Sequence, residues 1–320
     1  MKKFLKKVLF GTTLPQDYLC LNLKEFKHPL RIEIEKSNGE KIDITTKHLF
    51  NGYKPLIFSI DSNCFGNEIP GKIDSIHLTF KTDENKKLAL LKLKLVEELK
   101  IGSSTILIFQ GIMGLHNFKN PFNKLLSDAR YRLTADKTHN VYLAGNLFDQ
   151  IKVAYAIPRK IYLVSVGTGN LFNIFPTDLS GTIDGKIFIL SLRTGGKASE
   201  QIDKFRRCAV FEIPAESYAE AYKAGKNHMK ELTELENLEI KFIEERSSKL
   251  NIPVPMNINK YIELERIQKY QLGIHTLHFL KIVNSVRLRE SDSVLAHIHS
   301  DYASWRMRKG IQTKYYLRKV

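Results

Sequence analysis

One stretch of the chain, residues 158–199, places two apolar strands beside glycine-rich turns and so restricts the fold more than any other part of the sequence. The first predicted strand is Lys160–Val166. The second, Lys186–Leu192, runs directly into the sequence Arg-Thr-Gly-Gly-Lys-Ala-Ser at 193–199. Glycines let backbone N–H groups approach a ligand, and a helix that begins after them adds the partial positive charge of its N-terminus. The stretch therefore predicts either a site for a phosphorylated ligand or an ordinary strand–turn–helix junction.

The other patterns indicate a protein built mainly from β-strands. The Asn-Gly pair at 38–39 predicts a hairpin between strands Leu30–Glu35 and Lys41–Thr46. Two longer alternating segments, Tyr261–Leu272 and Ile274–Leu288, predict a second hairpin. Because strand–helix alternation does not recur often enough for a doubly wound parallel sheet, the order of elements favours an antiparallel Greek-key barrel with outer helices.

Several segments are predicted to be something other than a strand. Residues 112–140 are rich in Asn, Gly and Pro and predict loops. Helices are expected over Glu200–Arg206 and from Glu216 to about Leu235, where apolar residues recur at helical spacing. Residues 1–15 resemble a signal peptide, but two lysines, Lys6 and Lys7, interrupt the apolar run, so an amphipathic start to the fold is expected.

A change in composition near residue 140 predicts two domains, residues 1–140 and residues 141–320. The first is expected to be a mostly β domain whose role the sequence does not indicate. Its histidines have no acid or cysteine at the spacing of metal ligands, so each is expected to be a surface or loop residue: His28, His48, His77 and His116. The second domain contains all the motifs that suggest chemistry.

The balance of charge narrows the class of ligand. The formal net charge is +16, but the lysines are spread along the chain, and no helix-turn-helix, aromatic RNA-binding strand or zinc finger pattern is present. A diffuse basic surface favours small anionic ligands over nucleic acid. No apolar run approaches the roughly 20 residues needed to cross a bilayer. The three cysteines, Cys20, Cys64 and Cys208, are far apart, which predicts a reducing, cytoplasmic compartment and no metal site.

Five short motifs follow one another in the second half of the chain. They are a Pro-Arg-led strand ending in Val-Ser, an Asn-Ile-Phe-Pro-Thr-Asp-Leu segment, a Ser-Leu-Arg strand end, a Lys-Ala-Ser helix start and a late His-x-x-Tyr: 158–165, 173–179, 191–193, 197–199 and 299–302. In this order they resemble the flavin reductase-like family of FMN-binding split barrels, over residues of about 145 to 310. Two departures stand out. The Asp-Pro-Pro element of many relatives is replaced by Ser180–Gly185, and the phosphate loop has an extra Gly195-Gly196.

The resemblance implies a split β-barrel of residues 141–320 that binds FMN or FAD in a homodimer and takes NAD(P)H as a transient co-substrate. Arg193, Lys197 and Ser199 are the implied phosphate contacts. The whole set of implied flavin contacts is Ser165, Asn173, Thr177, Asp178, Ser191, Arg193, Lys197, Ser199, His299 and Tyr302. No catalytic residue is assigned, because the flavin itself would accept the hydride at N5.

Three functions remain open at this stage. The chain is an NAD(P)H-dependent flavin reductase, a flavin-binding protein without efficient turnover, or a basic protein that binds another ligand or nucleic acid on the same scaffold. The individual residues also have structural alternatives. Asn173 and Thr177 could cap a turn, Ser199 could be a helix N-cap, and Tyr302 could pack in an interface.

Overall fold

The structure is a computed structural model, and it describes residues 17–35, 39–66, 74–134 and 141–316 together with Leu5. In these residues the chain forms mainly antiparallel strands, arranged in two large sheets and two small ones. The expected mainly β fold is therefore confirmed. The amphipathic segment predicted for residues 1–15 and the turn residues 36–38 lie outside the described residues.

The first half of the chain forms a seven-stranded sheet. After β1 (Tyr18–Asn22), which joins a small sheet, its strands are β2 (Arg31–Glu35), β3 (Lys41–Asp43), β4 (His48–Tyr53), β5 (Leu56–Asp61), β6 (Ser75–Lys81), β7 (Lys87–Ile101) and β8 (Ser104–His116). Their order across the sheet is β3-β2-β6-β7-β8-β5-β4. Ile34 of β2 lies opposite Ile42 of β3, so the predicted first hairpin is confirmed.

The second half forms an eight-stranded sheet. After β9 (Arg159–Lys160), its strands are β10 (Tyr162–Thr168), β11 (Leu171–Thr177), β12 (Ser180–Thr182), β13 (Ile187–Arg193), β14 (Arg207–Glu212), β15 (Thr233–Glu234), β18 (Lys260–Leu272) and β19 (His275–Arg287). Their order is β12-β13-β19-β18-β14-β10-β11-β15. The predicted long hairpin is confirmed as β18 and β19.

The eight-stranded sheet curves around a core of its own. Three strands separate β10 from β13 in the hydrogen-bonded order, yet the rings of Tyr162 and Phe188 meet edge to face with centroids 5.5 Å apart. Val164, Phe175 and Leu190 belong to the same buried cluster. Side chains from distant strands can meet in this way only if the sheet is rolled, as in a barrel.

Five helices surround the sheets in the described residues: α1 (Pro121–Thr134), α2 (Leu147–Ala154), α3 (Lys197–Phe205), α4 (Tyr218–Lys223) and α5 (Ser300–Arg308). None of the helices in this part of the chain is long and apolar enough to cross a membrane. The expectation of loops throughout residues 112–140 is wrong, because β8 continues to His116 and α1 follows it. The backbone N–H of Asn123 donates to Asn120 Oδ1 at 2.8 Å, and Pro121 occupies the first turn, where no N–H is needed.

The helix predicted from Glu216 to Leu235 is also wrong in part. The segment consists of a 3₁₀ turn at Ala215–Ser217, the short α4, and a 3₁₀ helix at Ala224–Met229. The side chain of Asn227 donates to the Ile174 carbonyl at 2.9 Å and holds this last helix against β11. Apolar spacing does not report such a tertiary hydrogen bond.

The two large sheets pack against each other through an apolar interface. Isoleucines of β5 and β8 meet β13 and β19 of the other sheet, with Ile57, Ile189, Leu277 and Phe279 fully buried.

In a small sheet of order β21-β1-β20-β9, β1 pairs with β20 (Leu295–His299), alongside β21 (Tyr315–Tyr316). The strands β16 (Phe242–Arg246) and β17 (Pro253–Pro255) form a separate pair. The division into domains at residue 140 stays a prediction, and the parts it would separate are closely joined.

We expect Leu277→Ala to lower the free energy of unfolding by about 2–5 kcal/mol, because it removes a fully buried side chain from the interface between the sheets. The matched control is Ile267→Ala on neighbouring β18, where the side chain is 42 % exposed and the cost should stay within about 0.5 kcal/mol. Urea unfolding followed by the fluorescence of the single tryptophan, Trp305, measures both. Equal losses for the two variants would contradict the packing described.

Candidate functional site

The loop at residues 193–199 leaves the second sheet at the end of β13 and opens α3. Gly195 has φ of 71°, a left-handed conformation that favours glycine, and the space where a Cβ would lie is open. Gly196 is the N-cap of α3, so no side chain caps the helix. The N–H groups of the first helical turn have no partner within the helix and are suited to an anion.

Two cations flank this helix start. Arg193 is exposed at the end of β13, and the Lys197 side chain is 41 % exposed at the first position of α3. Lys197 Nζ lies 2.8 Å from Glu231 and 3.4 Å from Glu200, and the hydrogen bonds to these carboxylates raise the pKa of Lys197. Surface ion pairs of this kind are weak and would yield to a doubly charged ligand.

Ser199 points into the protein rather than toward the loop. Its hydroxyl lies 3.1 Å from His278 Nε2, and both side chains are buried. Burial lowers the pKa of His278 to about 4, so the imidazole is neutral at ordinary pH. The Ser199 hydroxyl therefore fixes α3 to β19.

Asn173 also has its donors satisfied inside the fold. Its Nδ2 donates to Gln201 Oε1 at 2.8 Å and to the Asn227 carbonyl at 3.0 Å, which ties β11 to α3 and to the following 3₁₀ helix. Ser165 on β10 is buried, and its hydroxyl finds no hydrogen-bond partner among the described residues. The Asn173 amide is thus committed to contacts within the fold.

A buried charge network lies at the turn after β11. The Asp178 carboxylate accepts hydrogen bonds from the Arg159 guanidinium and from His297 Nε2, the latter at 2.7 Å. Burial alone would raise the pKa of Asp178, but Arg159 and His297 hold it well below its usual range. The Arg159 guanidinium also lies 3.8 Å from the centre of the Tyr155 ring. Its Nε and Nη2 are buried with no partner in the described part of the chain. Thr177 is buried beside this network.

Ser191 marks the point where the two sheets meet through polar groups. Its hydroxyl donates to the Asn51 carbonyl of β4 at 2.5 Å and lies 3.3 Å from His275 Nδ1. The backbone N–H of Tyr53 donates to His275 Nε2 at 3.3 Å, so Nε2 is an acceptor and Nδ1 carries the proton. Burial lowers the pKa of His275 to about 4, which agrees with a neutral ring.

The last two predicted residues, His299 and Tyr302, lie at the start of α5. His299 is buried and caps α5, where its Nδ1 accepts from the Asp301 N–H at 3.0 Å. It adjoins the Asp178 network through Tyr18, whose ring lies near both His297 and His299, and the His299 backbone N–H donates to the Tyr155 carbonyl at 2.7 Å. Tyr302 stacks on Trp305 within the core of the first sheet.

The structure thus brings Thr177, Asp178, Ser191, Arg193 and Lys197 to one side of the junction between the sheets, and it leaves Tyr302 apart. Sequence reasoning missed four residues that shape this junction: Asn51, Tyr53, Arg159 and His275. Arg159 had a signal, because it opens the Pro-Arg motif. Asn51 and Tyr53 of β4 had no signal in the sequence, because only the packing of the two sheets brings them to β13.

Comparison with known proteins gives likeness of fold only. No family model and no curated protein matches this sequence. Similar solved structures include an FMN-binding protein from Thermus thermophilus with bound p-hydroxybenzaldehyde, with 14 % identity over 44 % of this chain and 82 % of that one and a TM-score of 0.37. The NADH:FAD oxidoreductase SgcE6 of Streptomyces globisporus C-1027 has 11 % identity over 57 % and 100 %, with a TM-score of 0.42. The styrene monooxygenase flavin reductase of Pseudomonas putida S12 has 12 % identity over 53 % and 99 %, with a TM-score of 0.39.

Many of the similar structures are flavin reductases or FMN-binding proteins. At these TM-scores the site has to be judged from this chain's own residues. The loop at 193–199 fits a flavin phosphate, because it offers an uncapped helix, two cations and open space beside Gly195. The inward hydroxyl of Ser199 and the satisfied amide of Asn173 are less suited to direct contact, and their assignment as ligand contacts stays a prediction.

The neutral state of His275 predicts a pH dependence of stability. Its pKa is lower in the folded chain, about 4, than the ordinary value of 6.5, so the unfolded chain binds more protons between these two values. The contribution of the neutral His275 ring to the free energy of unfolding is full above pH 6.5. It is lost as the pH falls toward 4, by up to about 3 kcal/mol. His275→Gln should flatten this acid slope.

Urea unfolding from pH 7 to pH 4 measures the slope for the wild type, for His275→Gln and for the control His77→Gln, whose side chain is exposed on β6. The control should keep the wild-type slope. A wild-type slope in His275→Gln would show that His275 does not contribute to it.

Proposed function

We propose that this protein binds a flavin phosphate, most simply FMN, at the junction of its two sheets. The proposal is carried by one observation, the glycine loop at 193–199 that opens α3 with no side chain as cap and with Arg193 and Lys197 beside it. A phosphate with about two negative charges matches this combination of helix N-terminus and cations. The basic net charge of +16 would attract such a ligand.

The neighbouring turn would hold the polar edge of the ring. Thr177 and Asp178 end β11 in the same junction, and Asp178 is fixed in position and kept ionised by Arg159 and His297. The unsatisfied nitrogens of Arg159 are buried donors that a ligand oxygen could satisfy. Two residues of the first sheet contact this region: Asn51 accepts a hydrogen bond from Ser191 near the end of β13, and Tyr53 donates one to His275 at the start of β19.

We further propose that the protein is an oxidoreductase of the flavin reductase type. A bound flavin would supply the hydride chemistry, taking hydride at N5 from NAD(P)H. The chain's own residues would bind and orient it, and no protein acid or base is required. The neutral imidazoles of His275 and His278 fit such a binding role. The cytoplasmic location and the homodimer that the resemblance implies remain predictions.

A flavin-binding protein without turnover is the second candidate. It is favoured by the carboxylates of Glu200 and Glu231, which hold Lys197 and so oppose a second anionic substrate at the same loop. Steady-state oxidation of NADH or NADPH with added FMN separates the two candidates. Turnover supports the reductase, and flavin binding without turnover supports the second.

We expect the double variant Arg193→Ala/Lys197→Ala to weaken FMN binding by about 2–4 kcal/mol, or about 30- to 1,000-fold, since two charge-assisted contacts to the phosphate are lost. Riboflavin has no phosphate, so its affinity should not change. Quenching of flavin fluorescence measures both affinities.

The control Lys94→Ala/Lys281→Ala removes the same charge from exposed strand positions and should leave FMN binding close to that of the wild type. If FMN and riboflavin lose affinity equally in the loop variant, the phosphate lies elsewhere. If neither flavin binds the wild-type protein, the proposed function fails.

A further inference from the structure

The two large sheets have the same strand order. Read from one edge, the first is β4-β5-β8-β7-β6-β2-β3, and the second, without its added edge strand β15, is β12-β13-β19-β18-β14-β10-β11. Matching the strands in chain order, β2 to β10, β3 to β11 and so on to β8 and β19, converts one order into the other. Both sheets are antiparallel throughout, and the last two matched strands form the longest hairpin in each.

The residue register repeats as well as the order. Ile32 lies opposite Phe80 in the first sheet, and Leu163 lies opposite Phe211 in the second. Likewise Ile34 faces Ile42, and Ser165 faces Ile174. Each of these residues of the first sheet and its match in the second sheet are separated by nearly the same number of residues along the chain. Strands placed independently would not keep both pairing and spacing, because a slip of one residue turns every side chain to the other face.

The strands β5 and β13 show the correspondence residue by residue. Leu-Ile-Phe-Ser-Ile-Asp at 56–61 matches Phe-Ile-Leu-Ser-Leu-Arg at 188–193, and all but the final residue of each is buried. In this match Ile57 corresponds to Ile189, and both lie in the interface between the sheets. Asp61 therefore occupies the position of Arg193.

The contacts between the sheets are reciprocal, as they are between copies related by a two-fold axis. Ser104, at the turn of the β7–β8 hairpin, donates to Asp184 in the β12–β13 turn. In the opposite direction, the N–H of Ile274, at the turn of the β18–β19 hairpin, donates to the Lys54 carbonyl in the β4–β5 turn at 3.1 Å. The β7–β8 turn thus contacts the β12–β13 turn, and the matching pair of turns, β18–β19 and β4–β5, makes the same contact in the opposite direction.

We propose that the chain is a fused pair, in which one seven-stranded fold occurs twice and a single chain supplies both members of a two-fold assembly. The members are residues 31–116 and 162–287. Only the second keeps the basic loop, because the first has Asp61 where the second has Arg193, followed by the 3₁₀ helix Ser62–Phe65 instead of a glycine turn. The fused pair therefore binds one anionic ligand per chain, a point that rests on the proposed function.

The first member also contributes to the ligand site of the second. Tyr53 is half-buried, and its ring meets His275 edge to face with centroids 4.6 Å apart. Burial raises the pKa of its hydroxyl, against the opposing effect of the nearby Arg193 cation. In a fused pair this side chain acts as a residue supplied by a partner. It provides an aromatic surface next to the loop, which an unpaired barrel would lack.

The mass of the particle in solution tests whether one chain forms the whole two-fold assembly. Size-exclusion chromatography with light scattering should give 36.9 kDa at micromolar and lower concentrations. A stable particle of twice that mass would support the homodimer instead and overturn the single-chain assembly.

Cooperativity tests whether the halves form a pair. Ile57→Val and Ile189→Val remove the same group from matched positions and should shift one common urea transition by similar amounts, whereas the exposed control Ile267→Val should not shift it. Two separate transitions, or a shift for only one of the matched variants, would overturn the pairing.

Titration with FMN tests the single ligand site and the role of Tyr53. We expect one FMN per chain and a loss of affinity of about tenfold in Tyr53→Ala, with no loss in Tyr142→Ala, an exposed tyrosine outside both members of the pair. Two FMN per chain, or equal affinity in both variants, would overturn this part. A 36.9 kDa particle with one transition that binds no flavin would refute the proposed function and leave the fused pair intact.

Discussion

The apolar contact between the two large sheets is the interaction on which the rest of the structure depends. Ile57, Ile189, Leu277 and Phe279 lose all contact with water there, and each fully buried side chain of this size contributes about 1.5–3 kcal/mol. Because this contact fixes the sheets face to face, it also decides which residues of the first half reach the end of β13. The polar junction exists only as a consequence of that packing.

At the junction, ion pairing, hydrogen bonding and a neutral imidazole keep the free-energy cost of burying polar groups low. The Asp178 carboxylate is matched by Arg159 and His297, and His275 is neutral with both ring nitrogens in use. A buried charge without a partner costs several kcal/mol, so this network is sensitive to the loss of any one member. Among the described residues, Nε and Nη2 of Arg159 are exceptions, together with the Ser165 hydroxyl and Asn51 Oδ1.

A repeated fold in one chain offers a physical reason for a single basic loop. When two copies are separate chains, any substitution appears in both sites of the pair. Fusion removes that constraint, so Asp61 can replace the cation that Arg193 supplies in the other copy. The first copy then serves as a packing surface and contributes side chains such as Tyr53 to the junction.

The sequence by itself determined the strands, their hairpins, the glycine loop at 193–199 and the start of α3, because these depend on alternation, turn residues and spacing over a few positions. It did not determine that Ser199 and Asn173 turn inward or that Tyr302 lies far from the loop. Those outcomes were decided by contacts between residues far apart in the chain, such as Ser199 with His278 and Asn51 with Ser191. Only tertiary packing brings such residues together, since burial and hydrogen-bond partners across two sheets leave no local pattern.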